Sequence, residues 1–245
     1  MISAGVDGCK AGWIAVWGDG VADPEIAVFP DTKAVWEKFE DATLVLMDIP
    51  IGLSSKESRK CDLAARKLLG QPRGASVFPS PSREALSASS YTDACKINYE
   101  ILGRKITKQC WGIIPKIREV DAFIGKTPAA LKVIRESHPE ICFWALNNGS
   151  SMRHRKRKKE GVRERLCVLE KKWPRTRELY AKALACYLRK HVARDDILDA
   201  IALYLHSSAP STDHDAIPAV PQHDEKGLPM EMVYCRSGQL DRTNP

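Results

Sequence analysis

Short apolar runs broken by turn residues open the chain, at residues 2–7, 12–17 and 25–29. Each has strand length, and the glycines and polar residues between them suit tight turns, so the pattern predicts a β-meander. Asp31 then stands where a helix N-cap belongs, ahead of Val35, Trp36 and Phe39 on one helical side. Residues 43–50 (Thr-Leu-Val-Leu-Met-Asp-Ile-Pro) are nearly all apolar, as expected of a central strand buried on both faces. Its acid, Asp48, comes at the end, where Pro50 and Gly52 stop the strand.

Residues 55–125 change character. Helical patterns at 57–69, 92–103 and 115–124 alternate with a loop rich in proline and serine, Pro72 to Arg83. Strand pattern resumes afterwards at Lys132–Glu136, so this stretch reads as a mainly helical insertion into a single domain, residues 1–245. A helix is expected at 139–147, then helices at about 160–171, 176–191 and 196–208 after a basic run at 153–159. The tail from Pro210 reads as a loop, with the apolar run Met230–Cys235 adding an edge strand. Three strands, helix, strand, helical insertion, strand and helices predict an α/β fold. The layout is an RNase H-like mixed β-sheet of order 3-2-1-4-5, strand 2 antiparallel, flanked by helices. In such a sheet the ends of strands one and four are neighbours, which sets Asp7 beside Asp48, with the helix carrying Asp196 and Asp199 packed nearby.

Asp7 ends the first run and opens a glycine-rich turn, where an aspartate also suits the turn itself. Asp48 ends a run otherwise free of charge, and a carboxylate there is costly unless paired or metal-bound. Asp196 and Asp199 lie three residues apart and share a helix face. Asp195 reads as the N-cap of that helix, and acids in a first turn suit the helix dipole. Neither role explains Asp199 among Ile197, Leu198, Ala200 and Ile201. Four carboxylates gathered by folding suit a hard divalent ion, Mg²⁺ or Mn²⁺. Two ions held that way support in-line phosphodiester chemistry. Glu136, His138 and Glu140 alternate on an extended stretch broken by Pro139. Glu136 joins the candidate catalytic set as a further ligand or a general base, with partnership to an arginine as the alternative. A histidine placed like His138 is more often packed or hydrogen-bonded than a ligand.

Charge adds a substrate class. The 245 residues carry 38 basic and 31 acidic side chains, a net charge of +7 that favours polyanionic partners. Candidate contacts to a nucleic-acid phosphate are Lys10, Arg59, Arg66, Arg73, Arg83 and His138, with Arg155, Arg157 and Lys158 from the basic run. A solvated loop is the competing reading of that run. Eight cysteines without Cys-x-x-Cys spacing argue against a zinc knuckle or a redox motif and read as reduced core residues. The start lacks a signal-peptide pattern, and no apolar run approaches the ~20 residues of a membrane span. A cytoplasmic protein is therefore expected.

Several segments resemble a known family. They are Gly5-Val6-Asp7-Gly8-Cys9-Lys10-Ala11-Gly12-Trp13, Asp48-Ile49-Pro50-Ile51-Gly52-Leu53 and Arg59-Lys60-Cys61-Asp62-Leu63-Ala64-Ala65-Arg66. Ser76-Val77-Phe78-Pro79-Ser80-Pro81-Ser82-Arg83, Glu136-Ser137-His138-Pro139-Glu140 and Asp195-Asp196-Ile197-Leu198-Asp199-Ala200 continue the series. In this order, from residue 3 to about 235, they resemble the domain of unknown function 429 family, described as predicted RNase H-like nucleases. That resemblance implies the fold and a metal-dependent nuclease site. More distantly the chain is similar to bacterial Holliday-junction resolvases, which place acids where Asp7, Asp48, Asp196 and Asp199 stand. It departs from them in having Asp rather than Glu on the fourth strand, and in the insertion at 55–125. Sugar kinases and actin-like ATPases share the opening strand-Asp-glycine pattern, but pair two such cores with a second glycine-rich phosphate loop that this sequence lacks. A non-catalytic module binding nucleic acid or a phosphorylated ligand is the remaining alternative.

Overall fold

Alternation along the first strands divides their side chains between two faces, and the rest of the chain covers each face in turn. In the computed structural model, which describes residues 1–236, the meander is β1 (Ser3–Cys9), β2 (Gly12–Gly18) and β3 (Glu25–Phe29). Helix α1 (Thr32–Phe39) follows, capped by Asp31, whose side chain accepts from the Ala34 N–H at 2.8 Å as the sequence predicts. Then comes β4 (Leu44–Met47), and after three helices β5 (Ile134–Glu136). The five strands lie in the order β3-β2-β1-β4-β5. β2 is antiparallel to both neighbours, while β1 pairs parallel with β4, and β4 with β5. This is the expected mixed sheet. Asp7, however, is not at the end of its strand. β1 runs on to Cys9, and Asp7 pairs with Ile14 inside the hairpin.

The insertion supplies α2 (Lys60–Arg73), α3 (Tyr91–Leu102) and α4 (Lys108–Lys126). α4 starts earlier than the pattern at 115–124 suggested. Thr107 caps it, and its buried stripe of Cys110, Ile114, Ile117, Val120 and Ile124 runs straight past Pro115. That stripe packs with α1 and α3 on the sheet face that carries Val6, Trp13, Ala15, Val45 and Met47. Two helices of the insertion, α3 and α4, thus share a layer with α1, while α2 packs instead with Ile141, Ile217, Met230 and Met232.

The opposite face carries Cys9, Ile14, Val16, Leu44 and Leu46. It is covered by α5 (Pro139–Leu146), α6 (Lys159–Lys172), α7 (Thr176–Cys186) and α8 (Arg194–Ser207). α7 ends sooner than expected: the Leu188 carbonyl accepts from the N–H groups of His191 and Val192 in a separate turn. α8 lies along β1, β2 and β4. Gly5 makes this possible, because a Cβ there would collide with the backbone nitrogen of Tyr204 and fall 2.5 Å from the Ala200 carbonyl oxygen.

The tail is not a loop. β6 (His214–His223) and β7 (Pro229–Cys235) form a separate two-stranded antiparallel sheet, so Met230–Cys235 pairs with β6 rather than extending the main sheet. Pro218 and Pro221 hid β6 in the sequence. They are tolerated because the register shifts between Ile217 and Gln222, where the ladder does not need their missing N–H groups. All eight cysteines are free thiols, with Cys167 and Cys186 exposed and the others buried. Among the described residues, no helix is long and apolar enough to cross a membrane.

Candidate functional site

Period-two alternation puts Asp7 on the same face of β1 as Gly5 and Cys9, the face that meets α8. Asp48 follows β4 directly, its N–H donating to the Val6 carbonyl at 2.9 Å, so it stands next to Asp7 across the parallel pair. α8 begins at Arg194 with Ala193 as its N-cap, not Asp195. The Asp196 carboxylate accepts from the Ala193 N–H at 2.8 Å and closes the first turn. One turn further, Asp199 is 1% exposed. The four aspartates of the sequence prediction therefore converge on one face of the sheet.

Their charges act on one another. Burial first, then the negative charges of Asp48, Asp199 and Asp196, push the Asp7 carboxyl well above the usual carboxylate range. Burial also raises Asp199, and it pushes Asp196 up to about 6. The cation in this site is Lys156, which the sequence reading passed over among its basic neighbours. Its Nζ lies 2.5 Å from Asp199 Oδ2 and 3.8 Å from Asp195 Oδ2. Burial works to lower the Lys156 ammonium, but Asp199, Asp7 and Asp48 together raise it above the ordinary lysine value. In the basic run the backbone is held in place while every side chain except Lys156 is exposed. Glu164 accepts from the backbone N–H groups of Arg153 and His154, at 2.8 and 2.9 Å, and Arg165 donates to the His154 carbonyl.

A second acidic group sits nearby at the end of β5. Arg59 donates through Nη2 to both oxygens of Glu136 at 2.6 Å, to Cys61 Sγ at 2.9 Å, and lies 3.6 Å from Asp62. The Ile51 N–H completes Glu136 at 2.6 Å, and the Ser80 N–H bonds Asp62 at 2.7 Å. Burial raises the Glu136 carboxyl while Arg59 pulls it down; Glu136 and Asp62 raise the Arg59 guanidinium against its own burial. Of the three roles open to Glu136 from sequence, this geometry is that of an arginine partner. Among the described residues, Cys61, Asp62 and Glu136 are the one trio of donors with ligand atoms all within 4.8 Å of one another. Arg59 already bonds two of its members. The aspartate set is less tightly gathered.

A cleft of about 900 Å³ opens at Asp48. Arg73, His138, Arg155, Lys156, Arg157 and Lys158 line it, with Glu140 and Phe78. Arg73 is buried, and its Nε has no hydrogen-bond partner; nor has Glu140 Oε2, although Glu140 pairs with Arg165 through Oε1. His138 caps α5, its Nδ1 accepting from the Glu140 N–H at 3.2 Å. The other predicted substrate contacts lie elsewhere. Arg59 is closed into its ion pairs, Arg66 donates to the Val77 carbonyl at 2.5 Å, and Arg83 pairs with Asp121 and Asp224. Lys10 is exposed at the β1–β2 turn. Lys116 was also missed from sequence. It packs against Gly8 and over the Trp13 ring at 4.2 Å, and donates to the Gly12 carbonyl at 2.6 Å. No curated protein and no solved structure matches the chain. A family model does match, over residues 5–226, and the chain belongs to that family, described as Protein of unknown function (DUF429).

Proposed function

We propose that the protein is a metal-dependent nuclease that hydrolyses phosphodiester bonds at Asp7, Asp48, Asp196 and Asp199. The observation that carries this reading is the convergence of four aspartates on one sheet face, beside a cleft whose charged lining is mainly cationic. The donor set suits a hard cation. It is all carboxylate, and burial raises the carboxyls of Asp7, Asp196 and Asp199, with the neighbouring aspartates adding to the rise at Asp7. Mg²⁺ or Mn²⁺ held by these four residues would supply Lewis-acid activation of a water and stabilisation of the leaving oxygen. The chain's own groups do the rest. Arg73 lines the cleft wall, and the exposed Arg155, Arg157 and Lys158 attract the phosphate backbone into it. The ordered N-terminal turn of α8 fixes the direction of Asp196.

The test is a panel of single-stranded, duplex, hybrid and branched nucleic acids, with and without Mn²⁺, comparing wild type with Asp7→Asn. Metal-dependent cleavage lost in Asp7→Asn supports the reading. Equal cleavage by both overturns the site. One observation favours a second reading: Lys156 already gives Asp199 a counterion. A protein that keeps that pair permanently would bind nucleic acid without cutting it. Binding across the panel with no cleavage and no Mn²⁺ response would select that reading.

A further inference from the structure

Beside the cleft lies a second groove of about 340 Å³, lined by Arg157, Lys159, Val162, Arg189, Ala193, Arg194 and Asp195. Both volumes fall within the roughly 300–1,000 Å³ usual for ligand sites. Four of the seven lining residues are cations. The single acid, Asp195, is already held by Arg157 at 3.5 Å and Lys156 at 3.8 Å. Among the described residues, no carboxylate lies within ion-pair distance of Lys159, Arg189 or Arg194. Three unpaired cations facing one hollow repel each other, which is a cost unless an anion enters. The Tyr180 hydroxyl, close enough to Arg194 and Arg189 to feel both charges, is a buried donor with no hydrogen-bond partner.

The two hollows are not independent. Lys156 and Lys158 line the cleft, Lys159 lines the groove, and Arg157 lines both. Residues 156–159 therefore form a ridge with cations on each side. A lone phosphate would use one side. A chain of phosphates crossing the ridge would use both. We propose that the second groove binds the phosphodiester backbone of a nucleic-acid strand whose neighbouring segment occupies the cleft. This rests on the nuclease reading and narrows its substrate to a strand long enough to span both hollows, excluding mono- and dinucleotides.

The test is fluorescence anisotropy in EDTA with oligothymidylates of about 4 and about 16 nucleotides. Four proteins are compared: wild type, a groove variant (Lys159→Ala, Arg189→Ala, Arg194→Ala), a cleft variant (Arg155→Ala, Lys158→Ala) and a charge-matched control (Lys96→Ala, Lys126→Ala, Lys132→Ala). All the altered side chains are exposed, so the fold should tolerate their loss. For the long strand, the groove variant should lose affinity and its salt slope should flatten by about 2, at about 0.7 per phosphate contact. Its binding of the short strand should match wild type. The proposal is overturned if the groove variant behaves as the charge-matched control, if it weakens both lengths alike, or if wild type binds neither length. If the proposal fails while the cleft variant still loses binding and Mn²⁺ still shifts Tm, the nuclease reading stands. If the cleft variant and Mn²⁺ both have no effect, that reading falls too.

Discussion

Two buried acidic groups lie close together in this fold, and they are neutralised in opposite ways. At the end of β5, Glu136 and Asp62 are served by Arg59, whose side chain is 2% exposed, and by backbone N–H groups. Where β1, the end of β4 and the first turns of α8 meet, four aspartates share one lysine whose side chain is 38% exposed and comes from a loop. At the β5 end two carboxylates share one guanidinium, backbone N–H groups serve the remaining oxygens, and the whole group is closed off from solvent. The aspartate site sets four carboxylates against one ammonium, and that lysine is partly open to solvent. Its surplus negative charge is what a site prepared for a cation from solution would hold.

The largest effect should come from removing the buried arginine. Arg59→Met leaves Glu136 and Asp62 buried without their cation and should cost about 3–5 kcal/mol in urea unfolding. A cost no greater than that of Lys156→Met would erase the distinction between the two groups. Gly5→Ala comes next. Its new methyl group meets the backbone of α8, so overpacking should cost about 1–3 kcal/mol and displace the helix that carries Asp196 and Asp199. Unchanged metal response in that variant would show that α8 does not position the site.

Asp7→Asn should act in the opposite sense. In EDTA at neutral pH it relieves repulsion, and Tm should rise by roughly a few degrees. In Mn²⁺ at about 100 times its Kd, wild type should gain about 2.7 kcal/mol that the variant lacks. A lower Tm in EDTA would mean that Asp7 is satisfied as an anion without metal. The smallest effect is a pH profile. The folded protein holds the Asp196 proton up to about pH 6, above the ordinary aspartate value of 3.8. Between those values it binds more protons than the unfolded chain, so this group's stabilising contribution falls as pH rises through the window. Metal-free wild type should lose Tm from pH 4 to 6.5 relative to Asp196→Asn, while the Mn²⁺-induced shift grows over the same range. Parallel profiles for the two proteins would place Asp196 outside the cluster.

Much of this arrangement was legible in the sequence. The three short apolar runs, the order of strands and helices, the run ending in Asp48, and the spacing of Asp196 and Asp199 predicted the sheet order and set the four aspartates together. What stayed hidden depends on long-range contacts. Arg59 finds Glu136 across 77 positions, and nothing local distinguishes Arg59 from Arg66 or Arg83. Lys156 is one of seven consecutive basic residues. It enters the site because Glu164 and Arg165 fix the backbone of that run on α6. Prolines misled twice, at β6 and inside α4, because tertiary packing overrode their local preference.

The contact at Gly5 joins β1 to α8 main chain against main chain, with no side chain between them. Most joints in a protein core pass through side chains, whose rotamers and volumes drift as residues are exchanged. Here the separation of Asp7 from Asp199 is instead set by two backbones at their limit of approach. Exchanges among the buried residues around them, Ile14, Val16, Leu46, Leu198 and Ile201, would then change packing and stability before they changed that spacing. The spacing of the acids is inherited from the fold itself, so an engineer could raise or lower the robustness of this chain without retuning its chemistry.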